Sequence, residues 1–263
     1  MADNFAYEIT GPGSDLFGVV DLNTGVFTSL GSMGVTLAGL GSYGGVIYGG
    51  VDRGNTLYSI NTSNGVLTAV GTGNIGGGYA LIGSIASGLY ALGWDDALYS
   101  INSGTGAATE IGSTGIPFGT VTGMSAGSNA LYVTSNNSLY ALNTTNGSAT
   151  WIGSTTEGES GFGALVSVGG TLYGGAYGAS TPDIYTVDPQ SGAATFVAAS
   201  PSTPSSTGVA GFWGLAPVSV TFTTVTVGTT YGGVAKIYPF KSSLPLDYEQ
   251  VYSSTAFFRS HQF

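Results

Sequence analysis

The chain has no cysteine, one histidine, and four lysines and arginines together in 263 residues. Each shortage removes a class of chemistry. Without cysteine there is no disulfide, no zinc–thiolate site and no thiol nucleophile. The single histidine, His261, lies two residues from the last position. A histidine-ligated metal site in the body is therefore excluded, and a Ser–His–Asp triad is disfavoured. Charged residues make up 7% of the chain, against about a quarter in ordinary globular domains. No apolar run is long enough to cross a membrane as a helix. The start, "MADNFAYEIT", lacks the basic and then apolar segments of a signal peptide.

The few charges are unevenly spread. Residues 1–217 carry twelve Asp and Glu against Arg53 alone, a net charge of −11. Residues 218–263 carry Lys236, Lys241 and Arg259 against Asp247 and Glu249, a net +1. An acidic body without a basic stripe argues against nucleic acid or anionic lipid as a partner.

What is abundant is glycine, with 46 residues, alongside 42% hydrophobic and 12% aromatic residues. That is enough apolar material for a core, and it argues against disorder. The glycines also recur at fixed places. "LYSINTSNG" (57–65), "LYSINSGTG" (98–106), "LYALNTTNG" (139–147) and "IYTVDPQSG" (184–192) are copies of one phrase. The polar residue before each turn is Asp21, Asn61, Asn102, Asn143 or Asp188, and four positions later stand Gly25, Gly65, Gly106, Gly147 and Gly192. An Asn or Asp bonds the backbone two residues on, and Gly supplies the positive φ that closes a short hairpin loop. Three residues before each turn stands Tyr58, Tyr99, Tyr140 or Tyr185, whose default role is packing between repeats. The first copy has Phe17 one place further back, which predicts a bulge there.

Each repeat reads as four short strands, with no helical spacing. Four strands in about 40–45 residues is the period of a propeller blade. First strands are expected at 35–40, 79–86, 121–127, 162–169 and 209–217. The last has no partners after it, while the N-terminus begins in mid-unit with "FAYEI", "LFGVVD" and "VFTSLG". The expectation is all-β: a five-bladed β-propeller over 1–217. One composite blade of one C-terminal and three N-terminal strands closes the ring and removes a free edge.

The segments "GLAP" (214–217), "IYGG" (47–50) and "LYSINTSNG" resemble those of bacterial propellers of the NHL/YVTN and quinoprotein-like type. The resemblance covers roughly residues 4–217. It implies the propeller fold and leaves function open, since such propellers serve many roles. After Pro217 comes a β-rich extension, 218–263, beginning "VSVTFTTVTVG". Its stretch "YPF…DYEQVYSSTAF" is similar to the opening of a β-sandwich in exported bacterial proteins of the PEP-CTERM type. That implies a truncated β-sandwich, and its apolar surface predicts self-association.

In a propeller, the loops between second and third strands and those joining one blade to the next surround one mouth of the channel. Here the first set is 8–15, 50–55, 92–97, 134–138 and 175–183, and the second includes 71–79, 112–120, 153–162 and 198–208. They hold Asp15, Asp52, Arg53, Asp95, Asp96, Glu157, Glu159 and Asp183, with Trp94 beside Asp95. Such loops are also where solvated charges normally sit. Hard carboxylate oxygens suit Ca²⁺, for which Asp95, Asp96, Glu157 and Glu159 are the candidates, and Trp94 suits a sugar ring. The predicted ligand-binding set is Asp15, Asp52, Arg53, Trp94, Asp95 and Asp183. The run "GTGNIGGG" (71–78) has no lysine and no helix after it, so it is not a phosphate loop.

The function expected is that of an exported, non-enzymatic binding or surface protein, outside or on the surface of a bacterium, taking a saccharide or a protein at the channel mouth. One alternative is a Ca²⁺-dependent hydrolase of a phosphotriester, lactone or glycoside, using Glu157, Glu159, Asp95 and Asp96. Another is a structural subunit that assembles through its tail.

Overall fold

The structure, a computed structural model, describes residues 4–11, 14–117, 121–128, 130–155, 161–176, 183–200 and 212–218. The chain divides into two units, Met1–Ser219 and Val220–Phe263. The second unit lies outside the described residues, and with it the expected sandwich, the self-association surface and His261. The described residues hold twenty strands and no helix, so none long and apolar enough to cross a membrane.

The strands follow the turn phrase. In the first unit β1 (Phe5–Thr10), β2 (Leu16–Asp21) and β3 (Phe27–Ser32) form an antiparallel meander. The next three units are β4 (Gly41–Tyr43), β5 (Val46–Gly50), β6 (Thr56–Ile60) and β7 (Leu67–Thr72); β8 (Tyr79–Ile85), β9 (Gly88–Gly93), β10 (Ala97–Ile101) and β11 (Ala108–Ser113); and β12 (Val121–Ser128), β13 (Leu131–Ser135), β14 (Ser138–Leu142) and β15 (Ala149–Ser154). The last is β16 (Phe162–Val168), β17 (Thr171–Ala176), β18 (Asp183–Val187) and β19 (Ala194–Ala199). A final strand, β20 (Phe212–Pro217), runs antiparallel to β1, with Ala6 opposite Pro217 and Ile9 opposite Gly214. The first strands β8, β12 and β16 also touch in parallel, through Ala126 with Ser84 and Ser125 with Leu165. This is an all-β, propeller-like repeat fold.

Each turn is built as its residues require. The side-chain oxygens of Asp21, Asn61, Asn102, Asn143 and Asp188 accept the N–H two residues on at 2.8–2.9 Å. The glycines four positions later have φ between 73° and 84° and donate back to the same residues' carbonyls. Those five glycine turns also reach across units. A Cβ on Gly31, Gly71, Gly112 or Gly153, each on the last strand of its unit, would strike the carbonyl oxygen of Asn64, Thr105, Asn146 or Ser191, the residue before the next unit's turn glycine. At the end of the series Ala199 carries no such glycine. Instead its carbonyl fills the space beside Gly25, and the Ser200 hydroxyl donates to the Gly25 carbonyl.

The apolar side chains are buried between units rather than within one. Leu57, Tyr48 and Ala38 pack with Tyr79, Ile82 and Tyr99 of the following unit. Leu98 and Tyr90 pack with Met124 and Val133, and Leu139 packs with Phe162, Leu165 and Tyr185. Ala6 and Val20 of the first unit pack with Ala164, Val166 and Tyr173 of the last. A single sheet leaves both faces wet, and each full burial of a Leu or Ile side chain stabilises by about 1.5–3 kcal/mol. Docking of units therefore supplies the core.

Two expectations change. The register shift expected at Phe17 is present, but it recurs in every unit, at Leu57/Tyr58, Leu98/Tyr99, Leu139/Tyr140 and Ile184/Tyr185. Phe17 thus takes the fully buried aliphatic position, and Gly18 stands where the other units have tyrosine. The first strand expected at 35–40 is broken into a single bridge from Leu37 to Val51 and the short β4. The backbone of Gly214 runs close by there, since a Cβ on it would strike the backbone of Gly39 and Leu40.

Candidate functional site

The hairpin loops between second and third strands are short, and the loops joining units fold back onto them. Backbone carbonyls of Asp15, Asn55, Asp96 and Asn137 accept the N–H of Met33, Gly73, Thr114 and Thr155 at 2.8–2.9 Å. Both loop sets therefore share one end. In four of these loops the tight turn is made by a non-glycine residue at positive φ: Asp15 (45°), Arg53 (56°), Asp96 (63°) and Asn136 (49°). The first loop is shorter than its expected 8–15. Glu8 and Thr10 belong to β1 and are buried, and Glu8, opposite Gly18 and Leu215, is fully so.

The sequence-predicted residues separate into one cluster and several outliers. Asp52, Arg53 and Trp94 come together. The Arg53 guanidinium carbon lies 4.1 Å from the centroid of the Trp94 ring. The Arg53 Nε stands 3.9 Å from Asp52 Oδ2, too far for a hydrogen bond, with side-chain exposures of 70% and 22%. The carbonyl of Tyr79 ties the group together, accepting the Trp94 indole N–H and the Arg53 backbone N–H, each at 3.0 Å. Tyr79 N donates to the Gly54 carbonyl at 2.9 Å. Burial holds the Asp52 carboxyl above the usual carboxylate range, against the opposing pull of Arg53 and nearby N–H groups.

Asp95 sits beside this cluster with its oxygens engaged. Its Oδ2 accepts the Tyr99 hydroxyl at 2.7 Å and its Oδ1 accepts the Ala97 N–H at 3.3 Å. The Tyr99 phenol is held above its ordinary range, first by burial and then by this bond. Asp15 accepts the Thr36 hydroxyl at 2.8 Å, at the foot of another loop. Asp183 opens β18 and is half-buried. Asp96, at positive φ, breaks the strand alternation next to Asp95. Glu157 and Glu159 lie outside the described residues. Among the described residues, no three of His, Cys, Asp and Glu gather closely enough to hold a metal ion.

The glycine run 71–78 has a role that the sequence alone did not reveal. A Cβ on Gly76 would strike the Asp95 carboxylate, one on Gly77 the Trp94 Cβ, and one on Gly78 the Arg53 backbone. Three successive glycines form the floor under three site residues. Tyr79, immediately after them, is fully buried, its ring face against Gly50. Its hydroxyl has no hydrogen-bond partner among the described residues, and burial pushes its phenol well above the ordinary value. "GGGY" was the signal for both, but its meaning depends on loops about twenty residues away on either side.

No family model matches the chain. No curated protein matches it. Among solved structures, a chain of a nidogen/laminin complex is 10% identical, with 82% of this chain and 98% of that one covered and a TM-score of 0.54. That likeness supports the β-propeller-like repeat fold. A structural genomics protein of unknown function from Bacteroides thetaiotaomicron VPI-5482 is 15% identical over 74% of this chain and 50% of its own, with a TM-score of 0.44. The computationally designed Ika8 protein is 14% identical over 71% of this chain, with a TM-score of 0.38, and the chain spans 56% of its length.

Proposed function

We propose that the chain is a five-bladed propeller whose ring is closed by β20 joining β1–β3, of the NHL/YVTN and quinoprotein-like kind, and that it is an exported, non-enzymatic protein binding a saccharide at its loop end. Three observations support the closed ring: the β1–β20 ladder, the core shared by the first and last units, and the contact of Ala199 and Ser200 with Gly25. The PEP-CTERM-like origin of the tail is part of the same proposal.

The observation that carries the binding reading is the Arg53–Trp94 stack, seated on Gly76–Gly78 and pinned from below by the Tyr79 carbonyl. It is a cation–aromatic pair held in place before any ligand arrives, which lowers the ordering cost of binding. Planar stacks flanked by carboxylates suit sugar rings and hydroxyls. The hydrolase alternative would enlist Asp95, whose carboxylate is already occupied by Tyr99 and Ala97.

Affinity electrophoresis of the full chain through gels cast with acidic and neutral polysaccharides tests the reading. One or more gels should retard the protein, and Trp94→Ala should release it. Free migration through every gel would remove the proposal.

A further inference from the structure

We propose that the ligand of this loop-end site carries a carboxylate, as in a uronic-acid saccharide, and that Arg53 receives it. The inference rests on the saccharide-binding reading and narrows it to an acidic class.

Arg53 is the sole cation of residues 1–217. Chance solvation does not explain its position. Its backbone is in the left-handed region, φ 56°, two residues before Asn55, the position aligned with Asp15 and Asp96, whereas the positive-φ residues of the other described loops are Asp15, Asp96 and Asn136. Asp and Asn tolerate that conformation because their short polar side chains bond locally, whereas arginine pays roughly 1–2 kcal/mol for it. Backbone strain of this kind clusters where a side chain must be aimed. The aim is fixed from two sides. Trp94 lies under the guanidinium at 4.1 Å, and the Arg53 backbone N–H is tied to the Tyr79 carbonyl.

Beyond Trp94 and Asp52 the guanidinium has no further partner among the described residues. No hydrogen-bond acceptor meets it among the described residues, and its one ion-pair contact, to Asp52, is long at 3.9 Å. The side chain is 70% exposed. An arginine seated over an aromatic ring and 70% exposed can offer its fork of N–H groups to the two oxygens of a carboxylate in a bidentate bond. The acidic body does not cancel this. At physiological salt a charge is screened beyond about 8 Å, so only near groups oppose an arriving anion. The nearest is Asp52, already engaged with Arg53 electrostatically, and the next, Asp95, accepts two hydrogen bonds.

The test is calorimetric titration of the full chain with oligogalacturonate, with its methyl ester and with a neutral glucan oligomer. The parent should bind the acid at least about tenfold more tightly than the ester, the usual size of a charge-assisted hydrogen bond. Arg53→Gln, which keeps reach but not charge, should erase that preference. Arg53→Lys, a point charge without the fork, should recover only part of it. Matching thermal melts qualify each variant as folded. Equal binding of acid and ester, both released by Trp94→Ala and unaffected by Arg53→Gln, overturns the carboxylate inference and leaves saccharide binding standing. Binding of the neutral glucan alone does the same. No binding of any of the three overturns the carboxylate inference, and free migration in the gel series in addition removes the reading beneath it.

Discussion

The backbone carbonyl of Ser191 occupies the space in which a side chain on Gly153 would begin. The two residues belong to neighbouring units, so this one contact sets how closely two sheets dock. Gly153→Ala must push the next turn outward and open the core between β14 and β16. Overpacking of this kind costs about 1–3 kcal/mol, and a domain of this size loses about 2–4 °C in Tm for each kcal/mol. Gly104→Ala is the control. It sits inside a turn, where a Cβ would meet only Asn102 Oδ1, at 3.4 Å. Its melting point should match the parent. Equal melting of both variants would show that the turn does not set the docking distance.

Tyr79 tests a different kind of packing. The ring is fully buried against Gly50, yet its hydroxyl has no partner among the described residues. Leaving a buried polar group unsatisfied costs about 1–3 kcal/mol. Tyr79→Phe should therefore leave the melting point unchanged or raise it, whereas Tyr79→Ala should lower stability by about 3–5 kcal/mol through the cavity it leaves. The sign with pH follows from the raised phenol. The folded chain holds a proton that the unfolded chain releases above the ordinary value of 10.0, so this group's stabilisation is lost as pH rises beyond it. Chemical denaturation at pH 7 and above pH 10.0 should show Tyr79→Phe gaining on the parent as pH rises. A lower stability of Tyr79→Phe at pH 7 would mean that the hydroxyl does have a partner.

Asp95 and Tyr99 form a pair across one loop, at 2.7 Å. A double-mutant cycle of Asp95→Ala and Tyr99→Phe should return a coupling of about 0.5–1.5 kcal/mol in stability. Additive effects would instead free Asp95 for another task, as the hydrolase alternative requires.

The turn phrase is legible because its chemistry is local. Asn61, Gly65 and Tyr58 act within nine residues, so the sequence alone supports the hairpin and its repeat. The role of Phe17 is not legible in the same way. The bulge after Leu57, Leu98, Leu139 and Ile184 is a backbone event with no marker residue, so Phe17 aligns by eye with the tyrosines although it fills the place of Leu57. Residues 35–40 read as a strand by their apolar pattern, but they keep only the bridge from Leu37 to Val51, and nothing in that pattern marks the close approach of the Gly214 backbone. The site follows the same division. That charges collect in loops at one end can be read from the repeat. That Arg53 lies on Trp94, forty-one positions away, depends on the docking of two units and on Gly76–Gly78 leaving room.

Asp52 links that site to stability. Burial raises its carboxyl above the ordinary value of 3.8, outweighing the pull of Arg53 beside it. Between those two values the folded chain keeps a proton that the unfolded chain has released. The stability from this group is thus present below pH 3.8 and lost as pH rises through the folded value. Asp52→Asn is neutral throughout and keeps much of the side chain's shape. At pH 7 it should be slightly more stable than the parent, by less than about 1 kcal/mol, because the lost pairing with a largely exposed arginine is itself small. Below pH 3.8 the gain should disappear. Denaturant melts of both proteins from pH 3 to 7 read the difference directly. A variant less stable than the parent at pH 7 would mean that the Arg53 pairing outweighs desolvation, and that the guanidinium is held by Asp52 rather than left open for a ligand.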